Sequence, residues 1–250
     1  MRKAFCWLII LLLLSGTAVS MAESAAATPG LEKFIVRNGD RESKKVAITM
    51  DDCNEREWVW KTVELCRQYG ITVTFFPNGY NLLEEERDGW LDVLAAGCEI
   101  GSHGQSHLEI RDIGPWKLLF RMGHFQQKLD EVLGEHYPVR WFRPPFGRIT
   151  DSDGKSRANE NTIRKYGYDH ILLWDVSFSP GFKTKDVLKD VKGGSIILFH
   201  ARKRDYNCLE ELIPLLLEQD YELVTVSWLF GFDPPQTGGE LYVYNQDDFR

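Results

Sequence analysis

The sequence has no surplus of positive charge: 30 Lys and Arg face 37 Asp and Glu, a formal net charge of -7 over 250 residues. That excludes the basic stripe or patch by which nucleic-acid-binding proteins track phosphates. It also gives no global attraction to anionic polymers and argues for a neutral or cationic substrate. Internal repeats and low-complexity segments are absent. No apolar run is long enough to cross a bilayer, which takes about 20 residues; residues 5–14 supply ten. With Arg2 and Lys3 before it and small residues behind, that run reads as an export signal cleaved near Ala22, with an uncleaved anchor as the alternative. The protein is therefore expected outside the cell or in its envelope. No cysteine stands at the cleavage region, which argues against a lipid anchor.

With 43% hydrophobic and 12% aromatic content, the remainder can bury one sizeable core. After a linker over 23–44, with one short strand near 34–36, a rhythm begins. Apolar, β-branched runs at 46–50, 71–76, 98–101, 139–142, 169–176, 195–199 and 222–225 read as strands. Between them, 55–69, 82–96, 115–133, 158–166, 185–191 and 209–219 read as helices, several stopped by glycine. Strands alternating with helices imply a parallel sheet covered by helices. About seven such units predict an α/β fold, a distorted (β/α) barrel over 45–231, with 232–250 as a C-terminal tail. In such folds the chemistry gathers at the C-terminal strand ends. Asp51, Asp52, His103, His107, Arg143, Asp175 and His200 all end or follow expected strands.

Asp51 and Asp52 are adjacent carboxylates that point in different directions. His103 and His107 are four residues apart, so on a helical turn they would share a face. One carboxylate and two imidazoles form a ligand set for a catalytic metal with an open position. Zinc suits that set best, with cobalt, manganese, nickel or iron also acceptable. Gly104, not Glu, follows the first histidine, so the general base is not supplied as in the His-Glu-x-x-His helix. Asp51 is the candidate. The blander reading of Asp51-Asp52 is a helix cap.

Together these segments resemble the polysaccharide deacetylase family with the NodB homology domain, carbohydrate esterase family 4, over about 45–230. Thr49-Met50-Asp51-Asp52-Cys53 corresponds to its first motif, His103 to His107 to the second, Arg143-Pro144-Pro145-Phe146-Gly147 to the third, and Leu198-Phe199-His200 to the fifth. The resemblance implies metal-assisted hydrolysis of N-acetyl groups on amino-sugar polymers, peptidoglycan or chitin-like. Asp52, His103 and His107 would hold one divalent ion. Asp51 would be the base, His200 the acid, and Arg143 the partner that keeps Asp51 ionised. Leu198 would line the acetyl pocket, and Trp174, Pro145 and Phe146 would meet the glycan. No protein partner is implied. Hydrolysis of another non-peptide C–N bond, and glycan binding without catalysis, are the rival readings.

Two departures carry their own expectations. The fourth motif's acid, which braces the arginine in the family, is replaced by Ser177. If the strand runs through 169–176, Asp175 shares a face with Ser177 and would brace Arg143 instead. The first motif's glycine is replaced by Cys53. Four cysteines outside the export signal, Cys53, Cys66, Cys98 and Cys208, allow two disulfides or four reduced thiols. Strand and helix ends place Cys53 with Cys208 and Cys66 with Cys98. Most of the tryptophans among 58, 60, 90, 116 and 141 are expected in the core.

Overall fold

The computed structural model describes residues 33–245 apart from 112 and 150–156, together with 247. The expected export signal, the first part of the expected linker and the end of the tail lie outside the described residues. Among the described residues, no helix is long and apolar enough to cross a membrane.

Among the described residues, nine strands form two parallel sheets. One is β1 (Ile35–Val36), β6 (His170–Leu172) and β5 (Trp141–Phe142), in that order; the other runs β4 (Glu99–Ile100), β3 (Thr74–Pro77), β2 (Lys45–Asp52), β8 (Ile196–His200), β7 (Val176–Ser177), with β9 (Glu222–Val224) also on β2. A bridge between Ser102 and Phe142 joins the sheets where β4 approaches β5. The expected α/β barrel is therefore present in distorted form, as two sheets around a shared core. β2 is buried almost end to end. A strand covered on both faces explains why its sequence is a continuous apolar run with no alternation. Its length lets one edge serve two partners: Lys45–Ala47 pair with β9, and Thr49–Asp52 with β3.

The helices close the outside: α1 (Arg56–Tyr69), α2 (Arg87–Ala95), α3 (Pro115–Leu133), α4 (Arg157–Tyr166), α5 (Thr184–Asp190), α6 (Lys203–Leu217) and α7 (Val226–Leu229). In α1, Val59, Val63 and Cys66 recur at helical spacing and are buried, and Gly70 ends the helix at φ 64°. In α3, Leu118, Met122, Phe125, Leu129 and Val132 do the same, and proline opens the first turn. Trp90 and Trp141 lie fully inside, whereas Trp116 is half exposed on α3.

The short strand expected near 34–36 is present as β1 and joins a sheet of the fold, with Phe34 and Val36 buried. Two boundaries differ from the sequence reading. The expected strand over 169–176 is two strands, β6 and β7, in different sheets, with the chain crossing between them at 173–175. Helix α6 starts at Lys203, six residues before the apolar repeat that marked it. The described part of the tail folds back on α3: Tyr242 N–H donates to Asp130 Oδ2 at 2.8 Å and Tyr244 N–H to Gln127 Oε1 at 3.3 Å.

At the opposite end from the strand C-termini, Glu99 is completely buried. Its carboxylate accepts from Ser227 Oγ–H and Ser227 N–H, from Trp141 Nε1–H, and from Thr74 Oγ1–H, fastening α7 to both sheets. Burial raises its pKa, and the four donors only partly offset this. The folded state thus favours the protonated form, so this contribution to stability is full below the ordinary carboxylate range and fades as pH rises through the raised folded value. Glu99→Gln turns an amide NH2 toward N–H and O–H donors. Denaturant unfolding across a pH series should show it about 1–3 kcal/mol less stable than the parent in mild acid, with the gap narrowing as pH rises.

Candidate active site

The parallel register sets the site. Asp51 on β2 is paired with His200 on β8. Ser102 N–H donates to Trp141 O at 2.9 Å and Arg143 N–H to Ser102 O at 2.8 Å, which brings the histidine loop beside Arg143. Residues 103–107 are an irregular bend, not the helical turn that their spacing suggested. Gly104, at φ 79°, takes a left-handed conformation that suits glycine. The two rings nonetheless converge, with centroids 5.3 Å apart.

Arg143 is fully buried. Its Nη1 donates to Asp51 Oδ1 at 2.7 Å and to Thr49 Oγ1 at 2.8 Å. Nε donates to Leu172 O at 3.3 Å and Nη2 to Leu173 O at 3.4 Å. The guanidinium lies 4.3 Å from the Phe76 ring centre. Burial pulls its pKa below the usual value, and the charge of Asp51 opposes that pull. Asp175 takes no part. Its carboxylate pairs with Arg41 at 2.8 Å and accepts from Ser195 Oγ and Ile196 N–H. The expected brace fails because the strand breaks before Asp175, so alternation does not carry through the crossing. Two backbone carbonyls and Thr49 do that work, and Asp175 fastens the segment before β2 to β8.

Asp52 and Cys53 both have positive φ, 65° and 52°. Two such non-glycine residues in succession are strained. The turn is held by Asn78 N–H and Asn81 Nδ2–H, which donate to Asp52 O at 3.3 and 2.9 Å. It swings the Asp52 carboxylate away from Asp51 toward the histidines. Asp52 Oδ1 lies 3.6 Å from His103 Nε2 and 3.4 Å from His107 Nε2. The three donor atoms all lie within 4.8 Å of one another. Four-coordinate zinc at ordinary bond lengths needs ligand atoms roughly 3.3 Å apart. His103 Nδ1–H donates to Arg143 O at 2.8 Å, which leaves the Nε2 lone pair facing Asp52. Burial lowers the His103 pKa despite the adjacent carboxylates, so the neutral, ligating form is favoured. Asn78, itself buried, points a carbonyl oxygen with no protein partner beside this set. The residues fit a divalent cation with an additional polar group beside it.

His200 N–H donates to Asp205 Oδ2 at 2.9 Å, and its Nδ1 stands 3.6 Å from the same oxygen. Asp205 is wholly buried. Burial raises its pKa, but the hydrogen bonds from His200 and the charge of Arg204 outweigh this, and the net shift is downward. Sequence reasoning missed Asp205, Asn78, Asn81 and Thr49. Asp205 sits five residues after His200, in the first turn of a helix whose start was placed too late.

Of the residues expected to meet substrate, Phe146 is exposed and packs edge-on against His107, with centroids 4.5 Å apart. Trp174 is half-buried beneath the same loop, where a side chain at Gly147 would strike its ring. Leu198 is nearly covered on β8, two residues before His200. Pro145 is buried and shapes the turn; it does not face solvent. All four cysteines are free thiols. The Cys66 and Cys98 sulfurs are neighbours at 3.7 Å but unbonded, whereas Cys53 donates to Met50 O and Cys208 lies in the second turn of α6, so neither expected disulfide is present. Burial and the Asp51 and Asp52 charges push the Cys53 thiol well above its usual pKa, so it is inert.

A family model described as polysaccharide deacetylase matches residues 38–170, just over half of the chain. A peptidoglycan-N-acetylglucosamine deacetylase of Bacillus cereus is 30% identical over 208 residues, 76% of this chain and 89% of that protein. Among solved structures, a pseudoenzyme of carbohydrate esterase family 4 from Bacillus anthracis superposes with TM-score 0.68 at 18% identity, covering 81% of this chain and 71% of that one. A family 4 acetyl xylan esterase from Clostridium thermocellum, solved with a cobalt ion, gives 0.61 at 21% identity, with 74% and 89% covered.

The geometry yields a direct measurement. After chelator treatment, titration with Zn should show one ion per chain. His107→Ala should weaken that binding by about 10- to 100-fold, because it removes a ligand while leaving the buried His103 and Arg143 in place. Unchanged affinity would remove His107 from the ligand set.

Proposed function

The chain belongs to the polysaccharide deacetylase family, and from that premise we propose that it is an exported, metal-dependent N-deacetylase. Its substrate is an N-acetylated amino-sugar polymer of the cell wall, with peptidoglycan ahead of a chitin-like chain. The observation that carries this reading is the placing of Asp51 and His200 as register partners on adjacent strands beside the Asp52, His103 and His107 donor set. A base and an acid thus flank one position, and neither is needed as a ligand.

When bound, a divalent cation would acidify a water and polarise the acetamide carbonyl. The chain's own residues supply the proton traffic. Asp51 Oδ2 is the oxygen not engaged by Arg143, and it accepts the proton of the attacking water. Arg143 fixes the carboxylate's direction and supplies a compensating charge at 2.7 Å. His200 delivers a proton to the departing amine, which would otherwise be a poor leaving group. Asp205 positions His200 by holding its backbone N–H and standing beside Nδ1, so that Nε2 faces outward. Leu198, nearly covered on β8 two residues before His200, would line the pocket for the acetyl methyl. The charged pieces are complete, which favours catalysis over passive glycan binding.

Acetate release from N-acetylglucosamine oligomers and from peptidoglycan tests this with chelator-stripped protein, with and without added Zn. Release should return with the metal, and Asp51→Asn should lower kcat by about 10²–10⁴. Stoichiometric metal without release from any glycan would move the reaction to another C–N bond. Neither metal nor release would leave a binding module. A separate prediction concerns Asp205. Asp205→Asn should reduce kcat about tenfold, a fraction of what a general acid contributes, with KM little changed. The alkaline limb of the pH–rate profile, which is set by loss of the general acid's proton, should move, which a merely structural residue would not cause. An unchanged profile with only a lower melting temperature would remove Asp205 from the mechanism.

A further inference from the structure

Two of the cysteines are set apart from the others. Cys66 closes the buried face of α1, Cys98 stands one residue before β4, and their sulfurs share a hydrogen bond at 3.7 Å. Cys53 donates to a backbone carbonyl, and burial pushes the Cys208 thiol up to about 11. The bond with Cys66 holds the Cys98 thiol below its usual pKa; burial opposes this, and the Val73 N–H and the Arg67 charge add to it. The same bond and burial push Cys66 up. The pair is therefore polarised, with one sulfur inclined to the thiolate and its neighbour keeping a proton.

Access is one-sided. A cavity of about 470 Å³ has Cys98 in its wall, together with Leu94, Gly97, Trp228, Pro234 and Pro235. It opens at the end of the core away from the strand C-termini, and Cys66 does not line it. Its walls are largely apolar, and its volume suits a small organic molecule. Both thiols are otherwise covered, so a bulky reagent is kept from them. The more acidic sulfur is thus the one that borders the cavity, and its partner waits behind it in the core.

We propose that Cys98 and Cys66 form a thiol–disulfide exchange site that takes a small organic disulfide, RSSR, through this cavity. The Cys98 thiolate attacks one sulfur of RSSR. A Cys98–S–S–R bond forms, the reagent's S–S bond breaks, and the departing RS⁻ takes up the proton that Cys98 gave to water. Cys66 then loses its proton, attacks the Cys98 sulfur and expels the second RS⁻, which is protonated in turn. Two protein thiols are oxidised, and RSSR is reduced to two RSH. The Cys66 and Cys98 sulfurs close by about 1.7 Å to reach bonding distance. The new bond spans 32 positions of chain, which carry β3, α2, Asn78 and Asn81. Asn78 and Asn81 hold the Asp52 turn, so exchange fastens the base of the segment that supports the metal-ligand set. The site does not rest on the deacetylase reading.

The full chain is reduced, freed of reductant and exposed to hydroxyethyl disulfide. It should lose two thiols, and a non-reducing peptide map should show one Cys66–Cys98 bond with Cys53 and Cys208 still free. The melting temperature should rise by about 4–16 °C and fall back when reductant is returned. Cys66→Ser should stop at the mixed disulfide, read by mass on Cys98. In Cys98→Ser, Cys66 should be modified about tenfold more slowly. No thiol loss in the parent, a bond between any other pair, or labelling of Cys53 or Cys208 as fast as Cys98 overturns the proposal. Equal labelling rates for Cys66 and Cys98 in the two serine variants overturns Cys98 as the attacking sulfur. The parent's thiol loss and peptide map decide the site even where a serine variant fails to fold.

Discussion

The buried pair between Arg143 and Asp51 is the constraint on which the site depends. A charge pair removed from water is costly unless every remaining donor and acceptor is met. Here the guanidinium is met by Asp51, Thr49 and the carbonyls of Leu172 and Leu173, so it ties β2 to the end of β6. Its own backbone N–H and C=O hold Ser102 and the His103 ring. One side chain and its peptide groups thereby set the direction of the base, the tautomer of one metal-ligand candidate and the junction of the two sheets. Removing the side chain would leave a buried carboxylate with no counter-charge, so stability and activity are tied to the same residue.

A second polar centre, at the other end of the core, has the opposite character. Glu99 meets neutral donors only, and burial wins, so its pKa rises. Asp205 is equally hidden but faces His200 and Arg204, and its pKa falls. Two buried carboxylates of one chain thus diverge according to their partners. Glu99 fastens α7 and has no group near it to act upon. Asp205 stands between the proposed acid and Arg204, where an ionised carboxylate can position both.

Much of the fold was legible because buried parallel strands and amphipathic helices leave strong patterns. β2 and β8 are unbroken apolar runs, and α1 and α3 repeat at helical spacing before a glycine or after a proline. The donor set Asp52, His103 and His107 was legible from residue type and position at strand ends. What failed did so where the pattern does not encode a backbone break. Asp175 was assigned to Arg143 by assuming one strand where the chain changes sheets. The first turn of α6 carries charges in place of apolar residues, so its start was placed late and Asp205 was hidden. The pairing of Cys53 with Cys208 assumed that both stand at strand ends; Cys208 is on a helix.

The departures from the family motifs are each answered by a neighbour. Cys53 takes a left-handed conformation where glycine is usual, and the strained turn is held by Asn78 and Asn81. Ser177 replaces an acid, and among the described residues its hydroxyl reaches only Ser179. Arg143 does not lack a brace for that, since backbone carbonyls and Thr49 engage it. A carbonyl lone pair cannot be protonated at ordinary pH, so a brace made of carbonyls holds the arginine without adding a titrating group or a second negative charge beside Asp51. The charge removed at 177 reappears on the other side of the site at Asp205, where it faces the imidazole. The chain therefore keeps one carboxylate free to take a proton and one placed to steady the group that gives it. On the β8 side, Ser177 pairs with Leu198 and the Phe178 ring packs on Phe199, which holds that wall of the site in register with His200.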